Sequence, residues 1–152
     1  MKQSKLTPSA LFLITFVSGL VLSWIQPWHF TYYMDDTVVH LTGVGILFTS
    51  LMINILAYRQ FKKFITPHAP FVKPKVLLKN GVFALSRNPV YLALVLSECG
   101  LAFVFDTIWL LFSTVVLLIV LDIVIIPDEE KVLKGTFNKD YPEYKNKTRR
   151  WL

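Results

Sequence analysis

Four long apolar runs, at residues 8–25, 38–58, 89–105 and 107–126, alternate with polar connections along the chain. Each holds 17–21 residues, close to the roughly 20 that a helix needs to cross a hydrocarbon core about 30 Å thick. Only Asp106 separates the third run from the fourth, so a tight helical hairpin is predicted there. The first run ends in Trp24 and Trp28, which suit a membrane interface, and it lacks the small-x-small cleavage pattern of a secretory leader. The pattern predicts an all-α polytopic membrane protein of about four transmembrane helices, in a single domain over 1–152.

Two connections are too large to be simple linkers. Residues 59–88 contain three prolines and no acid, yet carry Phe61, Phe64, Ile65, Phe71, Leu77, Leu78 and Phe83, too apolar a set for a disordered loop. This segment is expected to fold against the ends of the spans. After the fourth run, which is expected to end at Pro127, residues 128–152 place Leu133, Phe137, Tyr141 and Tyr144 at steps of four, four and three. That spacing predicts one helix, or two broken near Asn138 or Pro142, lying on the membrane surface.

Composition agrees with the hydropathy pattern: 54% of residues are hydrophobic, 17% charged, and mean hydropathy is +0.52. Charge adds direction. All 16 Lys and Arg residues lie at the N-terminal tip, within 59–87, or after Pro127; the loop 26–37 and the Asp106 turn carry only acids. The positive-inside rule then places both termini and both large connections in the cytoplasm. A bacterial-type inner membrane is the expected setting. The net charge of +6 is accounted for by orientation and anionic headgroups, without nucleic acid. Cys99 is the single cysteine, and His29, His40 and His68 are scattered, so no metal site is predicted.

Candidate chemistry gathers at the two ends of the hairpin. In "LSRNPVYLALVL", Pro89 suits the first helical turn and Asn88 its N-cap. Arg87 adds a fixed charge to the positive end of that helix, and Tyr91 lies just inside. The cluster reads either as an anion site or as a capped helix with a snorkelling arginine. Across the hairpin stand Asp128, Glu129 and Glu130, either a solvated helix start or the acidic half of a zwitterion site. Glu98 and Asp122 are intramembrane acids, and such charges cost about 2.5–3.5 kcal/mol or more. Each lies seven residues from Tyr91 or Glu129 and so on the same helical face. They either line a polar pocket or are satisfied by a neighbouring helix and the interface.

"GVFALSRNPVYLALVL" followed by "EEKVLKGTFNKDYPEYKNKTRRWL" resembles the paired signature of the isoprenylcysteine carboxyl methyltransferases and their phospholipid methyltransferase relatives. The likeness covers about residues 66–152 and rests on Gly81, Phe83, Arg87, Asn88, Pro89, Tyr91, Glu129, Glu130, Leu133, Phe137, Tyr141 and Tyr144. It implies methyl transfer from S-adenosylmethionine, with S-adenosylhomocysteine as product, at the membrane face. The implied cofactor residues are Lys75, Val76, Leu77, Leu78, Phe83, Asn88, Pro89, Val90, Tyr91 and Glu129. Tyr91, Glu129 and Arg87 are the implied catalytic set. Glu98, Asp122 and Ile125 are assigned to the acceptor pocket. Where the prenylcysteine enzymes carry His, this chain has Asn88; where they carry a substrate-binding Arg one turn before the paired acids, it has Ile125; where they carry Gly, it has Asn138.

The expected partners are the bilayer and a lipophilic or small apolar acceptor bearing a carboxylate, thiol or lipid headgroup. In-line methyl transfer asks chiefly for positioning and exclusion of water. Two other functions fit the same composition: a small proton-coupled transporter centred on Glu98, and a membrane scaffold without catalysis.

Overall fold

A computed structural model describes residues 7–64 and 76–152. The described residues form helices and turns, with no strand among them. Helix α1 spans Pro8–Ile25, and the hydroxyl of its N-cap Thr7 accepts the Ala10 N–H at 3.2 Å. A single 3-10 turn at Phe30–Tyr32 leads to α2, Asp36–Lys63, whose N-cap Asp35 accepts from the Val38 N–H. The short α3 (Val82–Leu85) precedes α4 (Pro89–Val104) and α5 (Ile108–Val120). A π-helical turn at Leu121–Ile125 joins α5 without a break to α6, Ile126–Phe137. Helix α7 covers Asp140–Lys147.

Three helices are long and apolar enough to cross a membrane: α1, α2 and the continuous 30-residue rod Ile108–Phe137. Helix α4 is shorter, 16 residues or about 24 Å. The exposed leucines, valines, isoleucines and phenylalanines along these helices face outward as a lipid-contacting surface should. The chain is an integral membrane protein.

The bundle alternates direction, so its two ends gather different residues. At one end Asp106 takes a left-handed conformation (φ 48°) and closes the predicted α4–α5 hairpin. Its carboxylate accepts from the Thr31 N–H and hydroxyl, at 3.1 and 2.6 Å, tying the first loop to the hairpin tip. At the other end, Leu78 and Phe83 are buried with Ala57 against Phe61, Phe64 and Val90. Leu78, Val82 and Phe83 therefore fold onto α2 and α4, as the composition predicts, while Val76 and Leu85 stay exposed. Ile65 and Phe71 lie outside the described residues.

Helix α2 packs chiefly on α4, and α1 on α5. Gly43 and Gly100 permit the first contact. A Cβ built on Gly43 would stand 2.9 Å from the Gly100 carbonyl oxygen, and one on Gly100 2.9 Å from Leu47.

Glu98 sits between helices. It is fully buried, its carboxyl oxygens receiving the Thr15 hydroxyl at 2.9 Å and the Ser113 hydroxyl at 2.6 Å. Both hydroxyls also reach carbonyls of their own helices, Leu11 and Leu110. They can therefore turn to serve either protonation state of the carboxyl. Glu98, assigned to an acceptor pocket, is enclosed by protein here. No part of it meets an opening, and satisfaction by α1 and α5 is what offsets the cost of its depth.

Gly43→Ala is expected to lower the stability of the detergent-extracted protein by about 1–3 kcal/mol through overpacking of α2 on α4. Gly45→Ala, whose new methyl meets nothing within 4 Å, should be close to neutral. Paired thermal-unfolding curves check the contrast.

Candidate functional site

The site lies where the start of α4 meets the π turn and α6. Ser86 is extended and buried, and Pro89 occupies the first turn, as proline's missing N–H and fixed φ favour. Asn88 holds the N-cap position, but its side chain does not cap the helix. Its amide donates instead to the Arg150 carbonyl at 3.2 Å, which leaves the first-turn N–H groups of α4 without a side-chain acceptor.

The predicted helix end at Pro127 is not found. Proline in a helix interior removes one hydrogen bond and crowds the carbonyl four residues back. Here the π turn absorbs both effects: the Ile126 N–H bonds the Leu121 carbonyl, five residues back, and the rod continues to Phe137. Two expectations fall with it. The acids 128–130 do not open a free helix, so a dipole role at a helix start does not apply. Asp122 does not share a face with Glu129 either, because the wider turn retards the register by about one residue, or 100°. It aligns with Glu130, and Arg150 bridges the two, with Nη1 3.0 Å from Asp122 and Nε 3.5 Å from Glu130.

Tyr91 and Glu129 are brought together. The Tyr91 hydroxyl donates to Glu129 Oε1 at 2.5 Å, and Glu129 has no other hydrogen-bond partner among the described residues. Beside this pair, Arg87 and Glu130 form a nearly buried ion pair at 3.0 Å, with side chains 8% and 11% exposed. Lys145 meets the other Glu130 oxygen at 2.9 Å. Arg87 also donates to the Tyr141 hydroxyl at 3.3 Å, and Tyr144 to the Phe83 carbonyl at 2.5 Å. Burial, reinforced by the Glu130 carboxylate, pushes the Tyr141 hydroxyl up to about 12, so it remains a neutral phenol at physiological pH. The tyrosines that step along the tail thus pin α7 to α3 and to Arg87, just before α4.

Packing is imperfect at one point. Arg87 Nε and Glu130 Oε1 are buried without an aligned hydrogen bond, although Oε1 is within ion-pair range of two guanidinium groups. Next to this network a cavity of about 360 Å³ opens between α6 and α7, lined by Pro127, Glu130, Lys134, Tyr141, Pro142 and Lys145, among others.

The remaining predicted positions scatter. Lys75 lies outside the described residues. Val76 is exposed and Leu77 half-buried. Leu78, Phe83 and Val90 pack together against the end of α2. Ile125, assigned to the acceptor pocket, is fully buried in a cluster with Leu11, Tyr91, Leu117, Leu121 and Ile126. Asp122, assigned there too, instead accepts from Arg150 and from the Trp151 indole N–H at 2.9 Å.

Arg150, Trp151 and Ser86 were missed as site residues. The unpaired intramembrane Asp122 signals the need for a donor, but nothing in the spacing says the donor comes from 28 residues downstream. The tail docks by backbone as well: the Arg87 N–H bonds the Arg149 carbonyl at 3.0 Å, and the Ser86 hydroxyl bonds that of Arg150 at 3.1 Å.

Arg87→Ala leaves Glu130 buried with only Lys145 and Arg150 to compensate it. The expected loss is near the lower end of the roughly 3–5 kcal/mol for breaking a buried pair. Lys147→Ala, which breaks an exposed pair with Glu143, should cost under about 1 kcal/mol. Thermal unfolding of both variants in detergent measures the difference.

No curated protein and no solved structure matches the chain. The sequence model of the phospholipid methyltransferase family matches residues 38–140, from the start of α2 into α7, which is more than half of the chain and includes both Tyr91 and Glu129. An all-helical membrane bundle, two signature segments meeting at one end of it and a match of this extent agree with one another: the chain belongs to the phospholipid methyltransferase family of membrane methyltransferases.

Proposed function

We propose that the protein transfers a methyl group from S-adenosylmethionine to a lipophilic or small apolar acceptor, at the cytoplasmic mouth between α4 and α6. The observation that carries this is the Tyr91–Glu129 hydrogen bond, which places a carboxylate beside the uncapped start of α4.

The donor set suits an amino-acid zwitterion. Glu129 spends one oxygen on Tyr91 and keeps the other for a cationic group. The first-turn N–H groups of Val90 and Tyr91 and the positive end of α4 suit a carboxylate. Arg87 fits this role less well than its charge suggests, because Glu130 already neutralises it; it acts as the brace that holds α6 against α4. When bound, S-adenosylmethionine supplies an electrophilic methyl group on a sulfonium. The chain's own work is to orient the two reactants and keep water out, which is where most of the rate enhancement of a displacement can arise. A carboxylate or thiolate acceptor requires no proton acceptor from the protein. Access to the acceptor is lateral, from the bilayer. The basic end of the bundle faces the cytoplasm of a bacterial-type inner membrane.

Binding of S-adenosylmethionine to the purified protein is measurable by calorimetry. Glu129→Ala is expected to weaken it by about 10- to 100-fold, the loss of one charged hydrogen bond. Glu98→Gln should leave it unchanged, which separates this function from a transporter centred on Glu98. Absence of binding heat and of thermal stabilisation by millimolar cofactor in the wild type would remove the proposal.

A further inference from the structure

We propose that Arg150 is a positioning residue: it repairs the helix that Pro127 interrupts and so decides which way Glu129 points. The inference rests on the role given above to Glu129. It concerns a residue outside the segment that the family model matches.

The carbonyl of Asp122 lies within the π turn. In a regular helix it would accept the N–H of Ile126, four residues on. That N–H is used by Leu121 in the π turn. The next donor, five residues on, would be residue 127, and proline has no N–H. The Asp122 carbonyl is therefore left without a backbone donor. A buried or membrane-facing orphan carbonyl is costly, and kinks and bulges persist only where something re-satisfies it. Arg150 Nη1 does so, donating to the Asp122 carbonyl at 3.3 Å and to its carboxylate at 3.0 Å.

The same guanidinium reaches Glu130 through Nε at 3.5 Å. One side chain thus spans the π turn, touching the residue inside it and the one eight positions later. These two align only because the turn holds an extra residue. The tail cannot drift from this position. Its backbone carbonyls at Arg149 and Arg150 receive the Arg87 N–H, the Ser86 hydroxyl and the Asn88 amide. The Trp151 ring packs on the cluster that contains Tyr91 and Ile125. Without the guanidinium the Asp122 carbonyl is orphaned again, and a rearrangement of the turn that re-pairs it rotates everything beyond Pro127, by about 100° for a register shift of one residue, and carries Glu129 off the Tyr91 hydroxyl.

The position of residue 129 can be read independently of catalysis. In a Cys99→Ser background, the pair Tyr91→Cys and Glu129→Cys is joined in membranes by a short bis-maleimide, and the extent of cross-linking is compared with and without Arg150→Gln. Efficient cross-linking is expected with Arg150 and its loss with Arg150→Gln. Cross-linking retained in Arg150→Gln overturns the inference.

A second comparison tests the repair itself. Pro127→Ala returns an N–H to the gap, so the loss of thermal stability caused by Arg150→Gln should be smaller in the Pro127→Ala background than alone. Additive losses overturn the repair role. If Arg150→Gln does not survive extraction, Arg150→Lys serves in both comparisons, because an ammonium keeps the charge yet cannot span the carbonyl and both carboxylates. Loss of cross-linking together with a wild type that binds no S-adenosylmethionine would sink the proposed function and leave the role of Arg150 standing.

Discussion

A backbone crossing hydrocarbon must satisfy its own polar groups, because neither lipid nor water will do so there. Pro127 violates that rule at the point where the last rod leaves the bundle. The consequences reach most of the functional end of the protein. The rod widens into a π turn, one carbonyl loses its donor, and the register of all later residues shifts. The C-terminal tail folds back to supply the missing donor. A lone substitution in the backbone ladder thereby couples residue 122 to residue 150.

Charge follows the same economy. Ten acidic residues and sixteen basic ones are present, yet the functional end pairs them closely. Arg87, Glu130, Lys145, Arg150 and Asp122 form one connected network. Its members are partly shielded from water, so each pair matters more than a solvent-exposed bridge would. Glu129 stands outside this network, with a phenol as its only described partner. It is an acid without a counter-ion in a cluster where its neighbour Glu130 has three, and that contrast is why the proposed function is built on Glu129.

Depth separates the two intramembrane acids. Glu98 is enclosed by hydroxyls from α1 and α5 and holds three helices together. Asp122 lies at the rim, where an arginine and an indole from the tail can reach it. Both are satisfied by partners from other parts of the chain. The acids Glu98 and Glu130 are tied into the architecture, whereas Glu129 keeps one carboxylate oxygen without a described partner.

The linear order of residues was enough to determine the helical class, the hairpin at Asp106 and the meeting of two signature segments, because hydropathy period, turn chemistry and motif spacing are local properties; it left the tail as one helix or two, and packing set the break at Asn138 rather than Pro142. Tyr91 and Glu129 were legible as partners once the hairpin was drawn. Three-dimensional packing alone decided the rest. A proline looks like a helix end unless the surrounding helix can widen to accept it, so the π turn and the displacement of Asp122 toward Glu130 were hidden. Arg87 looked like a free cation until Glu130 was placed 3.0 Å away. Arg150 had no local signal, since the carbonyl it serves is created by one distant residue and reached only after the tail has folded back.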